Sequence, residues 1–420
     1  QITLEELPDV TAQVRADIAA DGKITLNAPL NFRRAERKSD LKLAGTLSLA
    51  PTGLRIEARM SSGQLHLEDI QILAAPFARK VTSTVTSATA FKSSTLRDEK
   101  AVWAGVSGSV TLALKKLVYA DKFEVSDVGG TLQVEAGSLK LEGIRAGLGA
   151  ESDLKLNGGI AFIASAVQPY TFAAHMDVSN FDPGPVLRAI NPGQLPTIEG
   201  KFTVGSQLAG EGQNLPELGG RVQGEFKLSS KGGLFRALSA DVAAKMDSTS
   251  KTASAVAFLG NMASAVSGRK EYGEVANKAE AMASLSKMLA VIQYDQLYVV
   301  ISRDAALNTL LNEFTLIAPE LRLAGSGRIQ HSSALDLAEQ SLAMQFQLSA
   351  RGYTANLLKS LGALDGVKKD DLGYIGSTLP LRITGTLSKP DTGELQSTLM
   401  KLAYEKSGAG DLLNKILGGK

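Results

Sequence analysis

Apolar and polar residues alternate with a period of two over most of this chain. In Leu41–Leu49 the apolar positions are Leu41, Leu43, Leu47 and Leu49, with Lys42, Thr46 and Ser48 between them. Successive side chains on a strand point to opposite faces, so this spacing predicts a strand with one apolar and one wet face. Leu54, Ile56, Ala58 and Met60 repeat the pattern against Arg55, Glu57 and Arg59. It continues through Val110, Leu112 and Leu114, then Leu132, Val134 and Ala136, then Leu139 and Leu141. Turn-forming residues punctuate these runs at Pro51–Gly53, Ser61–Gly63, Gly129–Gly130, Gly158–Gly159, Glu211–Gly212 and Gly219–Gly220. The expected fold is mainly β: a curved antiparallel sheet, groove-like and repeat-built, with one face apolar.

One phrase recurs within these strands. LKLAG at Leu41, LKLEG at Leu139, LKLNG at Leu154, LRLAG at Leu321 and LRITG at Leu381 share an apolar-basic-apolar-x-Gly core. A catalytic motif is normally needed once, whereas a strand that stacks on its neighbours is needed many times. The glycine shares the parity of the two apolar residues and removes a side chain from their face. Such a strand glycine predicts a bend, a bulge or a close approach, and the basic residue is expected to face solvent.

Helical spacing is confined to a few places. Pro183–Ile190 predicts a short helix. Between Gly232 and Ile292 the apolar spacing changes to three and four, through Phe235, Leu238 and Val242 and then Val275, Met282, Leu285, Met288 and Ile292, which predicts a helical insertion at 232–292. Further helices are expected near Thr354–Ala363 and over 394–417. The uncharged run Asn157–Met176 is long enough for a membrane helix, but Ser165, Gln168 and Pro169 interrupt alternating flanks, so it reads as strand, loop, strand. Residues 81–100, rich in Ser and Thr, predict a linker or long loop between an N-terminal β region at 1–80 and a larger β region at 101–420.

Composition narrows the functional classes. Charges nearly cancel, with 45 Lys plus Arg against 43 Asp plus Glu, so the chain lacks the basic excess that phosphate-backbone binding requires, and nucleic acid is not an expected partner. Cysteine is absent, which removes thiol nucleophiles, thiolate zinc sites and disulfides. The three histidines, His66, His175 and His331, have no second histidine at a ligand spacing. Ser248–Lys251 and Ser284–Lys287 match a Ser-x-x-Lys pattern without its companion motifs and read as solvated helix residues. Gly210-Glu-Gly212 and Gly147-Leu-Gly149 lack the third glycine of a phosphate loop and read as turns. The inventory disfavours an enzyme, and no cofactor or metal is expected. The apolar strand face must therefore pack on a second layer of protein or on a ligand, and the alternation leaves both readings open.

The order of segments resembles the AsmA-like proteins of the bacterial envelope. VTLALKKLVYADKFEVSDVGGTLQVEAGSLKLEGIRAGLG at Val110–Gly149 has that family's strands, Gly turn and paired Leu-x-Leu strand. VSNFDPGPVLRAINPGQLPTIEGKFTVGSQLAGEG is similar to its strand, short helix and Glu-Gly-led strand, and LRLAGSGRIQ and LPLRITGTLSKPD are similar to its closing strands. GLGAES near position 149 departs from the double glycine of many relatives. The resemblance spans about Ala101–Leu399 and brings no catalytic residues. It implies a periplasmic protein, held to the inner membrane by an N-terminal helix that this chain lacks, with a β-sheet groove carrying phospholipid between inner and outer membranes. The expected lipid contacts are Leu112, Leu114, Leu132, Val134, Leu139, Leu141, Leu154, Leu156, Phe162, Phe172, Phe226, Leu323 and Ile383. The alternative is an envelope adaptor that binds a protein partner through sheet edges or the helical insertion.

Overall fold

A computed structural model describes residues 9–34, 36–51, 53–69, 97–119, 123–149, 151–190, 195–196, 198–236, 270–332, 339–379, 381–386, 390–391 and 394. The chain is mainly β, its pairing mixed but mostly antiparallel, as the alternation predicts. It divides into two compact units, Gln1–Gln194 with Phe202–Phe226, and Leu195–Lys201 with Lys227–Lys420. Among the described residues no helix is long and apolar enough to cross a membrane.

In the first unit β1 (Asp9–Ala12) and β2 (Arg15–Ile18) both pair with β3 (Ile24–Arg34), which is followed by β4 (Arg37–Ala50), β5 (Gly53–Ser62) and the short β6 (Leu65–His66). Then come β7 (Val106–Tyr119), β8 (Phe123–Glu135), β9 (Ser138–Gly147), β10 (Asp153–Phe162) and β11 (Tyr170–Phe181). Helix α1 (Gly184–Ile190) precedes β12 (Ile198–Gly212), and helix α2 (Leu215–Gly220) precedes β13 (Gln223–Phe235); residues 198–201 of β12 and 227–235 of β13 belong to the second unit. Each strand from β3 to β5 and from β7 to β12 is antiparallel to the next. The exception corrects the expected meander: β5 and β6 pair with β7 in parallel. Residues 81–100 therefore lie on a connection between paired strands of one unit; 70–96 fall outside the described residues.

The second unit holds helix α3 (Lys270–Ala290), β14 (Ile292–Arg303), β15 (Thr309–Ile317), β16 (Leu321–Ile329) and β17 (Leu342–Ala350). Helix α4 (Gly352–Ser360), β18 (Leu364–Lys369), β19 (Ile375–Ser377), β20 (Leu381–Gly385) and β21 (Pro390–Asp391) follow. Helices α3 and α4 pack on one another, and α4 lies against β17 and β18. The carboxylate of Glu320 fixes α4 by accepting from the amides of Tyr353 (3.2 Å) and Thr354 (3.0 Å) and from the Thr354 hydroxyl (3.0 Å). Those free amides are the unsatisfied donors of a helix start.

Several expectations need correction. The helical insertion does not begin at Gly232, because β13 continues through Phe235, and Ile292 opens β14. Leu238 and Val242 lie outside the described residues, as does the helix expected at 394–417 beyond Glu394. Gly129–Gly130, Gly158–Gly159 and Glu211–Gly212 are not turns but lie inside β8, β10 and β12. The reason is close approach of neighbouring strands: a Cβ on Gly158 would stand 2.7 Å from that of Ala174, one on Gly159 2.7 Å from the Leu139 carbonyl oxygen, and one on Gly45 only 2.2 Å from the Glu57 carbonyl oxygen. Gly143, in the repeated phrase too, acts differently: its φ of +59° puts it in the left-handed region at a bulge between β9 and β10.

Candidate functional site: an apolar sheet face

Strand register decides which side chains share a face, and in the first unit it aligns the apolar set almost without fault. Leu26 of β3 lies beside Gly45, which lies beside Ala58 of β5, and Ala58 beside Val110 of β7. The row continues through Leu132, Leu141, Gly158, Ala174 and Leu208 on β8 to β12. A second row runs parallel to it through Ile24, Leu47, Ile56, Gly108, Val134, Leu139, Ile160, Phe172 and Gly210. The bulge at Gly143 preserves this arrangement. It shifts parity between Leu141 and Ile144, so that Ile144 still pairs with Leu156 on the apolar side.

The opposite face is polar. Lys42, Thr46, Arg55, Glu57, Arg59, Gln133, Lys140, Lys155, His175 and Asp177 occupy it, and the motif lysines at 42, 140 and 155 are exposed as expected. Arg322 departs from that expectation. It pairs with Asp370 at 2.6 Å and stacks over the Tyr374 ring at 5.2 Å, so on β16 the basic position of the phrase ties elements together.

Two clusters close parts of the apolar face. Phe32, Leu41, Leu65 and Leu114 form one, with Leu30, Met60, Leu117 and Val128 against it. The other gathers Ala101, Trp103, Tyr170 and Leu218, with Val134, Leu139, Ile160, Phe162 and Phe172 packed around them. Tyr170 is its fully buried centre, edge-on to Phe162 (4.8 Å) and Trp103 (5.9 Å). Its hydroxyl donates to Asp98 (2.9 Å) and accepts from the Val102 amide (3.1 Å), while Trp103 donates to the Glu135 carbonyl. Burial first, and then the bond to the Asp98 carboxylate, push the Tyr170 hydroxyl up to about 12. Asn214 caps α2 by accepting from the Glu217 amide (2.9 Å), while the Glu217 carboxylate accepts from the Gln213 amide (2.9 Å), and Leu218 of this helix packs in the cluster.

Between the clusters the face is half-buried. Leu112, Leu132, Leu141, Leu154 and Leu156, all expected lipid contacts, stand there without reaching full burial. Phe226 is half-buried on β13 and Ile383 on β20. Val134, Leu139, Phe162 and Phe172 belong to the Tyr170 cluster rather than to an open surface. Leu114 and Leu323 are corrections: they are 7% and 1% exposed, so packing inside the protein already uses them. The large aromatics Trp103 and Tyr170 are the signal that sets Val134, Leu139, Phe162 and Phe172 apart. Among the described residues no group of His, Asp and Glu could hold a metal ion.

No protein-family model matches this chain, and comparison with curated proteins and with solved structures finds no match.

Proposed function

We propose that the first unit binds acyl-chain lipid on its apolar face, without chemical conversion, as a lipid-binding or lipid-transfer module. The observation that supports this is the unbroken apolar row across β3 to β12, whose central leucines are half-buried while neighbouring clusters of the same face are sealed. Fully burying a leucine yields roughly 1.5–3 kcal/mol relative to leaving it exposed, so a face of incompletely buried leucines retains affinity for hydrocarbon. Acyl chains would complete the layer, and headgroups would stay at the polar rim. The resemblance to AsmA-like proteins extends this reading to phospholipid, the periplasm, and passage between inner and outer membranes.

Lipid extraction from the purified protein, followed by mass spectrometry, tests the reading. Stoichiometric acyl lipid is expected from the wild type, and its loss from a Leu132→Lys/Leu141→Lys variant with an unchanged circular dichroism spectrum. A wild-type protein that purifies free of lipid and takes up none from phospholipid vesicles would overturn it. A second reading, an adaptor that receives a strand from a protein partner, is favoured by the N-terminal edge, where β1 and β2 are exposed throughout and Ile18 is 74% exposed.

A further inference from the structure

The polar face of the first unit carries a second feature. Lys42 of β4 lies beside Ser61, Ser61 beside Ala113 and Ala113 beside Gly129 on three successive strands. Ser61, Ala113 and Gly129 are short, so the surface drops between the longer side chains around it. Lys42, Arg59 and Lys115 border the resulting open trough of about 520 Å³, together with Asp40 and Asp127.

The open floor is not a requirement of packing. A Cβ on Gly129 would meet nothing closer than the Leu112 carbonyl oxygen at 3.9 Å, whereas one on the adjacent Gly130 would lie 2.5 Å from the Ile144 side chain. Nor are the bordering cations neutralised. Arg55 pairs with Glu57 at 2.7 Å, Lys140 with Glu135 at 3.2 Å and Lys155 with Asp153 at 3.6 Å. Lys42, Arg59 and Lys115 have no ion pair or hydrogen bond among the described residues. Asp40 accepts from the Gly63 amide (2.9 Å) and the Gln64 amide (2.9 Å), which holds its carboxylate at the backbone without removing its charge, so three cations face two carboxylates, Asp40 and Asp127, and the border keeps a net positive charge.

We propose that this trough binds a phosphate-type anion, either a phosphate monoester or a phosphodiester group. Arg59 presents a planar fork that matches two phosphate oxygens, and Lys42 and Lys115 act as point charges on either side. The Ser61 hydroxyl at the floor supplies a further donor. The trough is larger than a phosphate, within the range of small-molecule sites, and so has room for the organic group that carries it.

Isothermal titration calorimetry at 150 mM NaCl tests the site, with glycerol 3-phosphate as the monoester and glycerophosphoglycerol as the diester. Saturable binding of at least one probe is expected. A Lys42→Gln/Arg59→Gln/Lys115→Gln variant should weaken it at least tenfold. Gly129→Val should also weaken it, by filling the floor, without lowering the melting temperature, since β-branched residues suit strands. Preference for the diester identifies a lipid-headgroup-like source, and preference for the monoester a soluble metabolite; both support the site. Absence of saturable binding for both probes, or wild-type affinity in the triple variant, overturns it. The probes carry no acyl chain, so the outcome is independent of whether the apolar face binds lipid.

Discussion

Strands β9 and β10 of the first unit and β16 of the second carry the same repeated phrase and treat it differently. In LKLEG and LKLNG of the first unit, Leu139, Leu141, Leu154 and Leu156 are half-buried and the lysines are exposed. In LRLAG of the second unit, Leu321 and Leu323 are buried, and Leu323 joins a sealed row with Leu297, Leu316 and Leu348 on β14, β15 and β17. Helix α4 packs against β17 there, and its Leu358 is fully buried. A strand pattern therefore specifies that a face is apolar, and the elements after it decide whether protein or another molecule covers it.

Truncation gives the sharpest test of that contrast. Leu323→Ala should cost about 2–5 kcal/mol, because it opens a cavity in a sealed row. Leu141→Ala should cost about 1 kcal/mol in lipid-free protein, since less area is lost from packing. Urea unfolding of both variants measures the difference, and equal losses would mean that the face of the first unit is as tightly packed as that of the second.

The glycines offer the next largest effect. Gly45→Ala pushes a methyl group into the backbone of β5 and should destabilise by about 1–3 kcal/mol. Gly129→Ala, on the open side of the same sheet, should stay within about 0.5 kcal/mol. Thermal unfolding distinguishes them. Similar losses at both positions would contradict the close backbone approach at Gly45 and its absence at Gly129.

Two pH limbs probe the units at opposite ends of the scale. Tyr170 holds its proton more tightly in the folded state than in the unfolded one. The stability it contributes is complete below pH 10 and is lost as pH rises toward about 12. Tyr170→Phe should remove part of that alkaline fall. Burial alone would raise Glu320, but the Thr354 and Tyr353 amides, the Thr354 hydroxyl and nearby Arg351 outweigh it and hold the carboxyl below its usual value. Its contribution is complete above the ordinary glutamate range and fades as pH falls through the depressed value. Glu320→Gln should therefore flatten the acid limb of the unfolding curve, the smallest of these effects. An unchanged acid limb in that variant would deny Glu320 its role at the start of α4.

The alternation made the strands legible, down to the loop at 163–169 between β10 and β11, because period two is a direct image of the pleat. Gly129–Gly130 and Gly158–Gly159 were misleading, since a glycine pair looks the same whether it turns the chain or admits a neighbouring strand. Leu114 and Leu139 could not be told apart from Leu132 and Leu141 by pattern: Phe32, Leu41 and Leu65 seal the one, and Trp103 and Tyr170 crowd the other, from places distant in sequence. The trough bounded by Lys42, Arg59 and Lys115 is invisible for the same reason, since only register brings β4, β5, β7 and β8 side by side.

The parallel pairing of β5 with β7 has a kinetic consequence. Hairpins such as β10 with β11 can zip up locally, within microseconds. Leu54 and Val106, by contrast, pair roughly fifty residues apart, and the chain must close that loop before any ladder contact rewards it. Folding of the first unit should therefore be gated by this one encounter between two preformed ribbons, β3 to β5 and β7 to β12. Halving the connection between them should speed folding by about threefold, since each halving of a loop recovers about 0.6 kcal/mol.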